Sequence, residues 1–301
     1  MTPEPIEPWL YEDLVHYFKY ASSAYTALCP RPNGRVLVSE ISNSYTDIQG
    51  FVARDDERRE IIVALRGSLS MTDILLDASV VLVPFISPGV SAPDGVKVHS
   101  GFLAAWNSVA LEVIAIVTEE LERLAGIPFP WGVETSAEPS HMLDVGDRTQ
   151  LSSTGCGYSL VATGHSLGGA LATMAVMTLR QRFTGVPVTK LYSYGAPRVG
   201  NAGFADWVNQ VVGRTAFRVV HAKDGVPTII PTSMGYAHHG VEYWQKCEPP
   251  APENTVRCGC DGEDPRCSAS VPSEGINEDH MQVSVTIQLI GNCRIARGYA
   301  C

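Results

Sequence analysis

Residues 159–183 read SLVATGHSLGGALATMAVMTLRQRF, a short apolar run followed by a glycine-rich turn and a run of small residues. The apolar run SLVATG is typical of a short buried strand, and the small and apolar residues from Leu167 onward are typical of a helix. Between them lie Gly164, Ser166 and Gly168 in the pattern G-x-S-x-G. In a strand–turn–helix setting this pattern predicts a serine nucleophile on a tight turn.

The small residues around the serine fit a strained turn, because Gly164 and Gly168 add no side chain where the chain bends sharply. Ser166 also stands where the predicted helix begins, and the N–H groups of a helix start favour developing negative charge. The main-chain N–H of Leu167 is therefore a candidate oxyanion donor. The alternative is a packing turn without any chemical role.

A serine hydroxyl needs a base to accept its proton. In sites built on this turn, the acid and then the histidine follow the serine along the chain. Asp224 at the end of AFRVVHAKD and His280 in EGINEDHMQ fit that order. The predicted catalytic residues are therefore Ser166, Asp224 and His280.

The other candidate bases and acids fit less well: His99, His165, His238, His239, Asp206 and Asp279. His165 lies inside the motif and is expected to point away from Ser166, whereas His99 precedes the serine. His238 and His239 stay open as alternatives, although we expect them to have a structural role. The two acids are more typical of surface or capping positions.

Hydrophobic periodicity predicts two more helices, at 8–27 and at 102–126. It predicts six more strands, at 35–41, 48–55, 59–67, 189–197, 216–224 and 281–291. Alternating strands and helices indicate an α/β fold with a mostly parallel central sheet flanked by helices. We see no linker or repeat and expect one domain over 1–301, with 126–157 as an extended surface loop rich in Gly, Pro and Ser.

Composition narrows the classes of function. The 301 residues carry a formal net charge of −10, and no basic run is present. We therefore expect no nucleic-acid partner, and any contact with lipid must be apolar. The sequence has neither an apolar run of about 18 residues nor the pattern of a signal peptide, so we expect no membrane span or leader in it.

The chain contains eight cysteines. Zinc binding is one interpretation, but Cys258 and Cys260 are separated by a single residue, and no histidine lies near them in that run. An even number of cysteines in a loop-rich tail favours disulfides and an oxidising compartment. The residues alone leave 105 pairings open.

Five stretches together resemble the fungal class 3 lipases: VHSGFLAAW, ATGHSLGGALA, LYSYGAPRVGNAGFADWV, VVHAKDGVPTIIP and HHGVEYW. That family includes secreted mono- and diacylglycerol lipases of moulds, with feruloyl esterases as relatives. The resemblance runs from about residue 14 to residue 293. It implies an α/β-hydrolase fold with a short lid helix over the site, a triad at Ser166, Asp224 and His280, and no metal or organic cofactor.

The resemblance also implies an oxyanion hole made of Ser68, in the stretch RGS, and the N–H of Leu167. It implies a lid at 70–78, where apolar residues recur at helical spacing: Met71, Ile74, Leu75 and Ala78. The run 80–89 would line an acyl-binding groove. The alternative is a helix whose apolar side packs into the core.

Two disulfides are implied by the same resemblance, Cys29–Cys293 and Cys258–Cys267. Four cysteines have no family partner, and we expect Cys247 to pair with Cys260 by proximity and Cys156 with Cys301 by elimination. The sequence departs from the family in its longer 126–157 loop. It also lacks the aromatic residue that many relatives have shortly after the catalytic histidine.

We therefore expect a secreted, monomeric serine hydrolase that cleaves mono- and diacylglycerols through an acyl-enzyme at a lipid–water interface. Two alternatives stay open. One is an esterase that acts on soluble or aromatic esters, and the other is a catalytically silent binding protein. A series of ester chain lengths separates the first two.

Overall fold

The computed structural model describes residues 4–26, 29–67, 80–126, 157–271 and 275–280. The helices in these ranges are α1 Pro8–Ser23, α2 Ser100–Asn107, α3 Ala110–Leu124, α4 Leu167–Arg182 and α5 Ala202–Val212. The strands are β1 Glu4–Pro5, β2 Val36–Asn43, β3 Ile48–Asp55, β4 Glu60–Leu65, β5 Leu82–Pro84, β6 Lys97–His99, β7 Ser159–His165, β8 Thr189–Tyr194, β9 Gly200–Asn201, β10 Ala216–His221, β11 Tyr236–Ala237, β12 Glu242–Gln245 and β13 Thr255–Arg257.

The main sheet of the described ranges has nine strands in the order β1-β13-β12-β10-β8-β7-β4-β3-β2. Its five central strands, from β12 to β4, are parallel. At one edge β2, β3 and β4, which lie where the sequence predicts three strands, form an antiparallel meander. The prediction of an α/β fold around a mostly parallel sheet is therefore confirmed. A second sheet, ordered β11-β9-β6-β5, was not predicted.

Helices cover both faces of the main sheet, as a sheet with buried parallel strands requires. α1 packs on one face in a cluster that includes Tyr17, Phe18 and Tyr192. The other four helices contribute to the larger cluster on the opposite face. α4 is buried almost all round from Leu167 to Leu179, as expected of a helix at the centre of a fold.

The prediction of one continuous helix over 102–126 is wrong. The structure has two helices there, α2 and α3, and the chain bends by 45° between them. The break is at Ser108. Its carbonyl accepts a hydrogen bond of 3.1 Å from Nδ2 of Asn43, and its hydroxyl lies 2.8 Å from that of Thr46. Nδ2 of Asn43 thus occupies the Ser108 carbonyl, which a continuous helix would bond to the N–H four residues later.

Several predicted features fall outside the described residues. They are the lid at 70–78, most of the 126–157 loop and the strand at 281–291. In the part of the chain that is described, no helix alone is long and apolar enough to cross a membrane. α2 and α3 meet that criterion only together, as a bent pair.

Candidate active site

Ser166 occupies a sharp turn between β7 and α4. Its main chain has φ 63° and ψ −131°, a conformation that side-chain-bearing residues rarely adopt. The glycines on both sides are needed sterically: a Cβ on Gly164 would meet the Gly168 carbonyl, and one on Gly168 would meet the Leu65 carbonyl. The sequence G-x-S-x-G therefore folds into an elbow that presents the serine hydroxyl.

The structure brings the three predicted catalytic side chains into one hydrogen-bonded chain. Oγ of Ser166 lies 2.8 Å from Nε2 of His280. Nδ1 of the same ring lies 2.9 and 3.0 Å from the two carboxylate oxygens of Asp224. All three residues are buried. This arrangement allows the imidazole to accept the serine proton while the carboxylate fixes the orientation of the ring.

The parallel strands explain why residues so distant in sequence meet. Ser166 follows β7, and Asp224 follows β10 by three residues. Both strands end at the same edge of the sheet, where open α/β sheets bind their ligands. Gly195, after the intervening β8, has φ +55°, and a Cβ there would lie 2.5 Å from Oδ2 of Asp224. The N–H of Val226 donates to Oδ1 of Asp224 at 2.9 Å and holds the carboxylate in place.

His165 contacts the candidate base, although the sequence analysis gave it no part in the site. Its ring stacks on that of His280 with 4.6 Å between centroids and 30° between planes. Burial is the main cause that holds the pKa of His165 well below its usual value, and the neighbouring His280 adds to the effect. A neutral His165 would place no positive charge beside an imidazolium formed at His280.

Tyr25 is a second residue that sequence reasoning missed. Its hydroxyl lies 3.0 Å from Nδ1 of His165 and accepts a hydrogen bond of 3.2 Å from the N–H of Gly67. Burial raises the pKa of Tyr25 to about 12, so the phenol keeps its proton. Tyr25 therefore links the nucleophile turn to the stretch that precedes Ser68. No motif signals this role, because Tyr25 lies just beyond α1, far away in the sequence.

The remaining predicted site residues are distributed as follows. Leu167 is buried and opens α4, whereas Ser68, Met71, Ile74 and Leu75 lie outside the described residues. In the run 80–89, Phe85 is buried, and Val81 and Ile86 are exposed.

The alternative histidines have structural contacts. Nδ1 of His99 caps α2, accepting from the N–H groups of Gly101 and Phe102. His238 is buried, and its Nε2 lies 2.8 Å from the carbonyl of Pro227. Burial lowers the pKa of His239 to about 3.

The cysteines agree only in part with the predicted pairs. A disulfide joins Cys258 to Cys267. Cys29 is also disulfide-bonded, and its predicted partner Cys293 lies outside the described residues. Cys247 and Cys260 are exposed free thiols, so the predicted pairing of these two is wrong.

The β12–β13 hairpin explains why Cys247 and Cys260 do not pair. Gln245 is opposite Thr255 near the turn, so Cys247, just beyond β12, lies at the turn end. Cys260 follows β13 and leaves the hairpin at its other end. A disulfide needs Cα atoms within about 7 Å.

One cluster in the described ranges combines side chains of metal-ligand type: Glu242, Cys258 and Cys267. Both cysteines are oxidised in the disulfide and offer no thiolate for zinc.

Comparison with known proteins gives the family that the sequence motifs resemble. The family model described as lipase (class 3) matches residues 62–234, more than half of the chain. Secreted mono- and diacylglycerol lipase 1 of Fusarium solani is 34% identical over 218 residues, which cover 72% of this chain and 54% of that protein. The chain thus spans about half the length of this curated relative.

Solved structures agree over nearly the whole chain. A triacylglycerol lipase from Penicillium expansum is 27% identical with a TM-score of 0.74, covering 92% of this chain and 94% of its own. A triacylglycerol lipase whose catalytic centre is a serine protease triad is 28% identical with a TM-score of 0.70, covering 93% of this chain and 96% of its own. The fold is therefore that of the α/β-hydrolases, and this chain belongs to the class 3 lipase family.

Proposed function

We propose that this protein is a serine hydrolase that cleaves the ester bonds of acylglycerols through an acyl-enzyme. The observation that carries the proposal is the chain of hydrogen bonds from Ser166 through His280 to Asp224. The family membership supports the same chemistry, because relatives at 34 and 32% identity are named mono- and diacylglycerol lipases.

In the proposed mechanism Oγ of Ser166 attacks the ester carbonyl while Nε2 of His280 accepts the hydroxyl proton. Asp224 accepts a hydrogen bond from Nδ1–H and stabilises the imidazolium. His280 then gives the proton to the leaving alcohol. Water attacks the acyl-enzyme with the same assistance and releases the acid.

The oxyanion hole is proposed to consist of Ser68 and the N–H of Leu167. The position of Leu167 at the start of α4 supports this, because the first N–H groups of a helix point outward along its axis. Each such donor lowers the barrier by roughly 3 kcal/mol. The contacts of Tyr25 with Gly67 and His165 support a fixed spacing between the two sides of the hole.

We further propose that residues 70–78 form an amphipathic lid and that the enzyme works as a secreted protein at lipid surfaces. The apolar stripe of 70–78 supports the lid, because its opening exposes apolar surface that a lipid interface covers. The disulfides at Cys258–Cys267 and at Cys29 support an oxidising compartment. Two relatives that are named secreted lipases support it as well.

Hydrolysis measurements on two substrate classes test this proposal. We expect wild-type protein to hydrolyse emulsified mono- and diacylglycerols. Among p-nitrophenyl esters, we expect those with medium and long acyl chains to be hydrolysed faster than p-nitrophenyl acetate. Its rate should rise when the substrate exceeds its solubility. Ser166→Ala should lower the rate of hydrolysis by a factor of at least about 10⁴.

The alternative outcomes are distinct. A preference for short or aromatic soluble esters, without a gain above solubility, would support the esterase alternative instead. If the Ser166→Ala variant keeps the activity of the wild type, the serine-hydrolase assignment is wrong. Substituting Ile74 by Asp tests the lid, because it should reduce hydrolysis of emulsions more than hydrolysis of a soluble ester.

A further inference from the structure

The segment that carries His280 is attached to the loop that carries Asp224 by two side chains. Oδ2 of Asp279 accepts a hydrogen bond of 3.0 Å from the N–H of Lys223. Nδ2 of Asn277 donates one of 2.6 Å to the carbonyl of the same residue. Both main-chain groups of Lys223 are therefore held by residues one and three positions before His280.

We propose that Asn277 and Asp279 are positioning residues that clamp His280 onto the Asp224 loop. The inference rests on the proposed function, since it assumes that His280 and Asp224 act together. Asp279 bonds to a main-chain group of Lys223, and Asn277 bonds to main-chain groups of Lys223 and His280. Each acts through the placement of the imidazole.

Asn277 also holds the histidine directly. Its Oδ1 accepts from the N–H of His280 at 3.1 Å, in the pattern of a cap at the start of the short helical turn 278–280. The amide of Asn277 thus uses its oxygen on His280 and its NH₂ on Lys223. One planar group therefore fixes the distance between the two loops.

The anchor of the clamp is adjacent to the catalytic acid. Lys223 precedes Asp224, whose Oδ1 is held by the N–H of Val226, so the carboxylate moves with its own loop. Any displacement of that loop is transmitted through Lys223 to the residues around His280. The clamp therefore preserves the 2.9 Å bond between Nδ1 and the carboxylate, which an error of about 1 Å would break.

Sequence separation explains why such a clamp is useful. Asp224 and His280 are 56 positions apart. The residues 275–280 belong to none of the strands of the described sheets, and Lys223 lies in the exposed turn after β10. Side-chain hydrogen bonds at this junction align the segment of His280 with the loop of Asp224, as the hydrogen bonds between neighbouring strands do within a sheet.

Three variants test the clamp, with a fourth as control. Asp279→Ala removes the acceptor, Asp279→Asn keeps an acceptor oxygen while removing the charge, and Asn277→Ala removes both bonds of the amide. Glu278→Ala is the matched control, because Glu278 is an exposed acid on the same turn. The readouts are kcat and KM on a soluble p-nitrophenyl ester, thermal unfolding, and the low-field ¹H NMR resonance of the proton on Nδ1 of His280.

We expect Asp279→Ala and Asn277→Ala to lower kcat roughly 10- to 100-fold with little change in KM. The same two variants should weaken or shift the low-field resonance at nearly unchanged thermal stability. Asp279→Asn and Glu278→Ala should keep wild-type kcat within about threefold. If Asp279→Asn keeps the activity that Asp279→Ala loses, the hydrogen bond of Asp279 and not its charge positions His280.

The clamp is overturned if Asp279→Ala retains wild-type kcat and the resonance. It is also overturned if activity is lost together with thermal stability while the resonance is unchanged. The resonance needs no substrate, so it tests the clamp even if the protein fails to hydrolyse esters. Failure of hydrolysis in wild-type protein would contradict the proposed function, whereas loss of the resonance in Asp279→Ala would still support the clamp.

Discussion

Ser166 is held in an unfavourable backbone conformation by bonds on both sides of it. A residue with φ 63° and ψ −131° costs roughly 1–3 kcal/mol relative to an ordinary conformation. Its N–H donates to the carbonyl of Tyr194 at 2.8 Å, and its own carbonyl accepts from the N–H of Gly169 at 2.9 Å. The strain places the hydroxyl toward His280 rather than into the core.

Gly168 allows a direct test of the close packing around this turn. In Gly168→Ala the new Cβ would collide with the carbonyl of Leu65, which belongs to β4 and has little room to move. We expect at least a 100-fold loss of ester hydrolysis and a thermal midpoint lowered by several degrees. Gly203→Ala is the control, since its Cβ would have no neighbour nearer than 3.5 Å. Wild-type activity and stability in Gly168→Ala would show that the elbow is looser than described.

Tyr25 provides a second test at the residue scale. Tyr25→Phe keeps the ring but leaves the N–H of Gly67 without its acceptor, which costs about 1–3 kcal/mol for a buried group. Because Gly67 precedes Ser68, we expect kcat to fall together with the free energy of unfolding. Tyr45→Phe is the control, as Tyr45 is 99% exposed. Equal stability and kcat in both variants would contradict the bridging role of Tyr25.

Among the elements, α2 is capped by a histidine whose ring is completely buried. Burial lowers the pKa of His99 to about 4, against about 6.5 in the unfolded chain. Between these values the unfolded state binds more protons, so the free energy of unfolding must fall as the pH falls below 6.5. At pH 5 the loss from this group is about 2 kcal/mol.

His99→Asn separates this titration from the cap, because asparagine is also a favoured N-cap residue. We expect the variant to lose about 2 kcal/mol less than wild type when urea unfolding is compared at pH 7 and pH 5. The comparison within each protein removes any constant cost of losing the contact between His99 and Phe102. An identical pH dependence in the two proteins would mean that folding does not lower the pKa of His99.

Elements with strong local patterns could be predicted, and those that depend on distant partners could not. The strand Ile48–Asp55 has the predicted bounds, because its residues and flanking turns carry the signal themselves. The break at Ser108 was missed, because the side chains that bond to Ser108 come from the distant β2–β3 turn. Strands of two or three residues, such as Gly200–Asn201, are too short to show alternation.

The residues of the candidate site also divide into those that a sequence pattern predicts and those that depend on contacts with distant segments. The meeting of Ser166, Asp224 and His280 could be predicted, because motif, chain order and resemblance all point to these residues. Asn277 and Asp279 bond to main-chain groups that any sequence provides, so no residue type at the other end signals the contact. Tyr25 meets Gly67 and His165 from a distant part of the chain, so no local pattern signals it either. The stacking of His165 on His280 likewise depends on how two loops meet.

At the scale of the whole molecule, a bridge between Cys29 and Cys293 would join the two ends of the fold. Cys29 is disulfide-bonded and lies just after α1. Closing so long a loop stabilises the folded state by roughly 5 kcal/mol in the chain-entropy model. We expect non-reducing peptide mapping to recover Cys29 linked to Cys293, and reduction to lower the thermal midpoint. Recovery of Cys29 linked to Cys156 or Cys301 would contradict this pairing.

Covalent trapping tests whether Ser166 is the activated nucleophile of the proposed mechanism. Wild-type protein is treated with an alkyl p-nitrophenyl phosphonate, p-nitrophenolate release is counted, and the labelled peptide is identified by mass spectrometry. We predict one equivalent released per chain, the label on Ser166, loss of hydrolysis in step with labelling, and no labelling in Ser166→Ala or after denaturation. Labelling of another residue, or equal labelling of the Ser166→Ala variant, would contradict the claim.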